Sequence, residues 1–418
     1  MPAMTRTFIS LKERNFRYLM LGTVGLGFGQ WFQQIGLLWL MKVVTESPTQ
    51  VGVLAAVRGG TVLIAAPIGG VLSDRMSRRL LIVLVTVVSA AQALALAALV
   101  AVDLIEVWHL YVFAVLEAIT NGINQPTRQT FIYDVTSRDN ITNATSLNAM
   151  VQSTTRIIGP NVAGMLIGLV SIASCFFVLA AMKLGAAVAT LMIQASVEQP
   201  RAQQKESPWG SFVGGVKYAA TEPAILALIL ISSTLPLLVY PYNNFLPFFA
   251  DRVFNVGPQG YGFLASSLAF GAVPGGLLVA SLGNFKGKGR LMIVAYLGYI
   301  AMIVLFSRQN VIWFGFAFLM LGGVFHAMAT TLTFTLIQLW VRNDMRGRVM
   351  ALHSMEGGLN TLGSLPMGIA VSAFGPQNTV TATTLVALVA VSAISLLFPQ
   401  LRKEPDEVQE EEQVSKLA

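Results

Sequence analysis

The residues able to do chemistry in this chain are the polar and charged ones stranded inside long apolar runs. On the run 107–130, Glu117, Asn121, Asn124 and Arg128 recur every three or four residues and so share one helix face. Asn148, Gln152 and Arg156 form a similar stripe on 145–170, and Arg58 sits within 50–72. A charge in hydrocarbon is costly unless it is paired or wetted, so these faces are expected to line a water-filled cavity. Glu117 is expected to pair with Arg58 or Arg156, and its role reads in two ways. It is either half of an ion pair that orients helices or a carboxylate that handles a proton or a solute.

A second set of titratable groups lies further on: Glu356 with His353 on 347–373, and His326 near the middle of 311–338. Imidazole titrates near neutral pH, although a histidine in a helix core is more often a hydrogen-bonded structural residue. Glu117, Glu356 and His326 are therefore the candidates for proton handling. Gln30, Gln33 and Gln34 beside Trp31 make a polar-aromatic patch, and Asn243 and Asn244 beside Tyr240 and Tyr242 make another, with Asn360 on 347–373. These patches serve either an amphiphilic solute with hydrogen-bonding groups or ordinary contacts between helices.

The elements that must position these groups follow from composition. Of 418 residues, 55% are hydrophobic and 11% charged, against about 25% charged in soluble chains, which excludes a water-soluble fold. Apolar runs long enough to cross about 30 Å of hydrocarbon lie at 17–43, 50–72, 79–101, 107–130, 145–170 and 172–196. Six more lie at 223–249, 260–282, 290–307, 311–338, 347–373 and 378–399, which predicts an all-α membrane protein of twelve helices. One cysteine, Cys175, and three histidines leave no disulfide framework and no metal cluster. No HExxH, G-x-S-x-G or G-x-x-x-x-G-K-[ST] sequence is present, so an enzyme is not expected, and neither is any cofactor.

The net charge of +7 comes from basic residues scattered through short connections, which argues for membrane topology and against nucleic acid. With the N-terminus inside, twenty-one of the 27 basic residues fall on inner segments and only Lys42, Arg252 and Arg308 on outer loops. That asymmetry places both termini in the cytoplasm. Residues 1–17 lack a signal-peptide cleavage site, so the first helix is expected to remain in the mature protein. The expected organisation is a six-helix half over 1–196, a cytoplasmic linker over 197–222, a second half over 223–400 and a disordered acidic tail over 401–418.

The two halves repeat. At an offset of 204 residues Arg138 falls on Arg342, Asn140 on Asp344, Gly159 on Gly363 and Gly164 on Gly368, joining span five to span eleven. Pro67, Gly69 and Gly70 fall near Pro274, Gly276 and Gly283, at offsets of 207 to 213, joining span two to span eight. Transporters built from two parallel halves carry such repeats.

Between spans two and three, APIGGVLSDRMSRRLLIV places Gly70, Asp74, Arg75, Arg78 and Arg79 in a short inner turn. Here glycine permits a close helix approach, Asp74 can accept from backbone amides at a helix start, and the arginines anchor at the cytoplasmic face. This turn resembles the G-x-L-x-D-R-x-G-R-R loop of the major facilitator superfamily, with Ser77 where the family usually has glycine. The resemblance implies two pseudo-symmetric six-helix halves around a central cavity, and a cytoplasmic gate in which Asp74 meets the start of span eleven and Arg128 of span four. Gly159, Pro160 and Gly164 on span five resemble the G-P-x-x-G-G motif of proton-coupled drug exporters, or else provide plain small-residue packing against GAVPGG of span eight. The first-helix entry and RGRVMAL resemble the subgroup of the enterobactin exporter and macrolide-efflux proteins. Lys183 lies on span six, which in the superfamily stands outside the cavity, so it is expected to snorkel or pair structurally.

The reading is a bacterial inner-membrane exporter of amphiphilic organic compounds such as drugs, siderophores or secreted metabolites. Protons are its expected coupling ion and a monomer its expected state. A lipid flippase or an uncoupled facilitator is the alternative within transport, and a non-transporting membrane sensor or scaffold the alternative outside it.

Overall fold

The computed structural model describes residues 8–194, 208–283, 285–354 and 356–402, apart from the side chains at 208–213, 351, 354 and 356. Among these residues the regular structure is helical throughout. The first six long helices are α1 (Arg14–Thr45), α2 (Pro48–Arg75), α3 (Arg78–Ala101), α4 (Val107–Val135), α5 (Ile141–Leu169) and α6 (Ile172–Leu191). After them come α7 (Pro208–Thr221), α8 (Pro223–Leu238), α9 (Gly257–Leu282), α10 (Lys288–Ser307), α11 (Ile312–Trp340), α12 (Arg346–Ser354), α13 (Glu356–Phe374) and α14 (Pro376–Leu397).

Local chemistry fixes the ends of these helices. Ser47 Oγ accepts from Gln50 N ahead of Pro48 to start α2, and Ser171 Oγ accepts from Ser174 N to start α6. Glu46, at φ 50°, closes α1 in the left-handed region. The seventh predicted span is not one α-helix: beyond α8 it continues through a 3-10 segment, Tyr240–Phe245, into a π segment, Phe249–Val253. Pro241 and Pro247 each remove a backbone donor, which breaks the regular ladder there. The eleventh predicted span is likewise divided into α12 and α13.

Eight segments among the described residues pass as membrane-crossing on length and apolarity alone: α2, α3, α6, Pro223–Val253, α9, α10, α11 and α14. α1, α4 and α5 fall short because they carry the cavity-forming glutamines, asparagines and charges described below. Their outward faces are nonetheless apolar, with Leu21 64% and Leu169 75% exposed, as lipid contact requires.

The chain divides into two compact units, Met1–Gln203 with Asn255–Ser266, and Gln204–Phe254 with Ser267–Ala418. In the first unit, glycines set the close helix approaches. A Cβ at Gly69 would lie 2.6 Å from Ile123 Cα, and one at Gly122 would lie 2.7 Å from Ala65 Cβ, so α2 and α4 touch backbone to backbone. Gly22, Gly25, Gly29 and Gly36 turn a glycine stripe of α1 against α6. The basic end is filled by Phe16, Leu19 and Met20 of α1 with Ile82, Phe131, Ile132, Ala144 and Leu147.

In the second unit, α10 packs against α11 and α14, and α8 packs against α13 and α14. Aromatic rings lock the irregular seventh span: Phe249 and Phe306 lie 4.9 Å apart, and Tyr242 stands 5.9 Å from Phe306.

The repeat is visible in what equivalent residues touch within their own units. Gly159 of α5 seats on Trp31 of α1, and Gly363 of α13 seats on Leu237 and Pro241 at the end of α8. The segment preceding each set of spans also docks on an equivalent connection. A 3-10 turn, Ile9–Lys12, leads into Glu13, whose carboxylate accepts from Ser137 N, Ser137 Oγ and Asn140 Nδ2 ahead of α5. In the second unit α7 lies on the start of α12, with Gly215 against Arg348 and Arg342 Cζ 5.6 Å from the Tyr218 ring centre.

Candidate transport site

Helix spacing brings the first set of candidates together. A cavity of about 340 Å³ inside the first unit is lined by Gln30 and Gln33 of α1, by Glu117, Asn121, Asn124 and Arg128 of α4, and by Gln152 and Arg156 of α5. Each stripe read from i, i+3 and i+4 spacing therefore faces the same space. Gln34 and Arg58 are not in its lining. Arg58 reaches Glu117 from α2, with Nε 3.2 Å from Oε2, and the carboxylate side chain retains 7% of its exposure. Of the two partners expected for Glu117, Arg58 is the one engaged.

Lys183, expected to snorkel or pair structurally on a span outside the cavity, does pair, but the structure corrects its placement. Its ammonium lines the cavity and donates to Ser89 Oγ of α3 and to Gln33 Oε1 of α1, the latter at 3.5 Å. Thr86 of α3 also lines it and accepts from Asn124 Nδ2 at 2.9 Å. The signal that could have found them is the stripe of Thr86, Ser89 and Gln92 on an otherwise apolar run, facing a lone lysine that had to be paid for by polar neighbours.

Arg128 turns to α1, donating through Nη2 to Thr23 Oγ1 at 2.6 Å and to Leu19 O at 3.4 Å. Its Nη1 is buried without a hydrogen-bond partner among the described residues. The Asp74–Arg128 contact implied by the family's gate is thus not formed in this structure, where Asp74 is exposed and makes no ion pair among the described residues. The start of α3 is capped by Ser77 Oγ instead, which accepts from Leu80 N. Arg78 Nη1 holds Asp134 of α4 at 2.8 Å, and Arg79 donates to the carbonyls of Thr190 and Leu191 at the end of α6. Arg75 is exposed. Gly70 faces open space, so the close approach assigned to it belongs to its neighbour Gly69, whose Cα points at α4.

Pro160 and Gly164 pack on the start of α9, with a Cβ at Gly164 meeting Pro258 O at 2.5 Å and Gly262 Cα at 3.0 Å. The GAVPGG stretch lies further along α9 and packs on α11, where Gly275 meets Val324. The partner expected for span five was therefore on the right helix but at least nine residues too far along it.

The second unit's candidates do not border this cavity. His326 lies 5.2 Å from the Tyr240 ring and 5.3 Å from that of Tyr299. Asn243 donates to Tyr240 O at 3.0 Å, and Asn244 donates to Ser364 Oγ at 3.0 Å, tying α13 to the 3-10 segment. Asn360 Oδ1 is buried without a hydrogen-bond partner among the described residues. His353 is half-buried on α12. The side chain of Glu356, at the start of α13, lies outside the described residues.

A helical membrane fold in which polar stripes from several spans face one cavity is the architecture of a transporter. The family described as transmembrane secretion effector, within the major facilitator superfamily, matches residues 5–416, and the chain belongs to it. A staphyloferrin A transporter of Staphylococcus aureus is 23% identical over 86% of this chain and 90% of its own. The enterobactin exporter EntS of Shigella boydii is 23% identical over 87% of this chain and 86% of its own. Among solved structures, a bacterial homologue of the human lysosomal transporter Spinster, inward-facing and unoccupied, matches with TM-score 0.74 at 15% identity, covering 94% of this chain and 99% of that one. The nucleoside transporter NupG matches with TM-score 0.72 at 14% identity, covering 92% and 99%. The protein is a multi-pass membrane transporter of the two-half, twelve-helix fold.

Proposed function

We propose that this protein exports a siderophore-class or similar amphiphilic organic solute across the bacterial inner membrane by alternating access, with protons moving in exchange. The observation that carries the reading is the first-unit cavity, in which the single lining carboxylate among the described residues, Glu117, sits against Arg58. An ionisable pair held inside a polar cavity within the membrane-crossing helices is the kind of site that proton and solute pathways use. The named relatives supply the cargo class, since staphyloferrin A and enterobactin are both siderophores. The basic end of the first unit, with Arg14, Arg78 and Arg79, supports a topology with both termini in the cytoplasm. The protein works as a monomer with no bound cofactor.

The test is flux in liposomes carrying the purified protein. Adding enterobactin or staphyloferrin A is expected to drive proton movement in wild type and none in Glu117→Gln. Solute movement without any proton current would make Glu117 structural and the protein a facilitator.

A further inference from the structure

The first-unit cavity holds more positive charge than its own side chains neutralise. Its lining contains three basic residues, Arg128, Arg156 and Lys183, and one carboxylate, Glu117, which is already engaged by Arg58. Lys183 is buried to 6% of its exposure and its hydrogen-bond partners are neutral oxygens, Ser89 Oγ and Gln33 Oε1. Arg128 uses Nη2 on Thr23 and Leu19 while Nη1 is buried and unsatisfied among the described residues. Arg156 is exposed to the cavity and makes no ion pair among them.

These cations come from three helices and sit at different depths. At a rise of about 1.5 Å per residue, Lys183 is roughly 17 Å from the start of α6 and Arg156 roughly 20 Å from the end of α5, both near mid-membrane. Arg128 lies roughly 32 Å from the start of α4, close to the basic end. Cations within a membrane protein are costly unless a counter-charge arrives, and among the described lining residues the one carboxylate, Glu117, is shared between Arg58 and the field at Lys183.

We propose that the cargo is a small polyanion whose carboxylate or phosphate oxygens bind between Lys183 and Arg156 in the first-unit cavity, with Arg128 as a further anion contact towards the basic end. This rests on the exporter reading above and narrows its substrate class. Lys183 is then the specificity residue: its ammonium supplies a donor to the anion while Ser89 and Gln33 hold it in place, and neutral amphiphiles gain nothing from the site.

The experiment is equilibrium binding to the full chain in nanodiscs of zwitterionic lipid, using tricarballylate and its neutral trimethyl ester as a size-related pair. Tricarballylate is expected to bind at least about tenfold more tightly than the ester, and increasingly so as salt is lowered. Arg156→Gln and Lys183→Gln should each remove most of that preference, whereas Lys183→Arg should keep it. Because Lys183→Gln alters a buried hydrogen-bonded group and so tests folding as well as binding, the wild-type salt dependence and the Arg156→Gln result stand as independent readouts. Equal binding of the two probes, no binding of tricarballylate, or an unchanged preference in Arg156→Gln would overturn the proposal. Competition by inorganic phosphate is expected. Competition by phosphatidylglycerol alone would assign the cations to a lipid headgroup and overturn the solute reading. Export of siderophores without charge discrimination would overturn this inference and leave the exporter reading standing.

Discussion

Glu117 and Arg58 form a pair whose value lies in its burial. Removing one partner strands the other in a low-dielectric setting, which costs about 3–5 kcal/mol in comparable pairs, whereas replacing both by apolar residues is often nearly neutral. Arg58→Leu is therefore expected to lower unfolding stability in detergent by about 3 kcal/mol, and the double change with Glu117→Leu to restore most of it. Thermal melts of the four proteins check this, and a double variant as unstable as the single would contradict the account. The α4 stripe was legible because Glu117, Asn121, Asn124 and Arg128 repeat at helical spacing. Which arginine faces Glu117 was not, since it depends on how closely α2 approaches α4 across Gly69 and Gly122. Lys183 does pair with neighbouring side chains, as one of its two readings had it, but its place in the cavity lining could be read only by setting it against the Thr86, Ser89 and Gln92 stripe of another helix.

Helices and their connections carry the next set of consequences. Gly69 permits the α2–α4 approach that brings Arg58 onto Glu117, so Gly69→Leu must push the helices apart. Overpacking of this kind typically costs about 1–3 kcal/mol; melting together with loss of cavity binding is the expected readout, while Gly70→Ala, facing open space, should be silent in both. The clip formed by Glu13 on the connection between α4 and α5 depends on pH. Partial burial alone would raise the Glu13 pKa, but the hydrogen bonds from Asn140 and Ser137 outweigh it, leaving the value below the ordinary 4.5. A lowered folded-state pKa means that the clip contributes fully above the ordinary value and is lost as pH falls through the lowered one. Protection of residues 9–13 against hydrogen exchange, taken relative to the intrinsic rate at each pH, is thus expected to be high at neutral pH, to fall in acid, and to be low at both in Glu13→Ala. The existence of the helices could be read from apolar runs; the 3-10 and π interruption of the seventh span could have been anticipated from Pro241 and Pro247 but not placed. The gate geometry lay beyond the sequence, because the packing turns Arg128 to Thr23 of α1 while Asp74 is left exposed.

At the scale of the whole molecule the repeat explains why the fold was so readable. Gly159 with Trp31 and Gly363 with Leu237 make the same contact in each unit, and each unit's leading segment docks ahead of its fifth span. The halves differ in their polar content: the first encloses charges and amides, while the second encloses tyrosines and His326. Reporter fusions at either terminus are expected to be active only in the cytoplasm; an external signal from either would reverse the assigned topology.

The central claim is that cargo passes through the first-unit cavity. It is tested most directly by thiol protection in everted membrane vesicles, with Cys175→Ala as background and single changes Asn121→Cys, Gln152→Cys or Val188→Cys. Asn121 and Gln152 line the cavity, and Val188 is 56% exposed on the outer face of α6. Enterobactin or staphyloferrin A is expected to slow alkylation at positions 121 and 152 and leave 188 unchanged. Transport that continues with no protection at 121 or 152 would contradict the account.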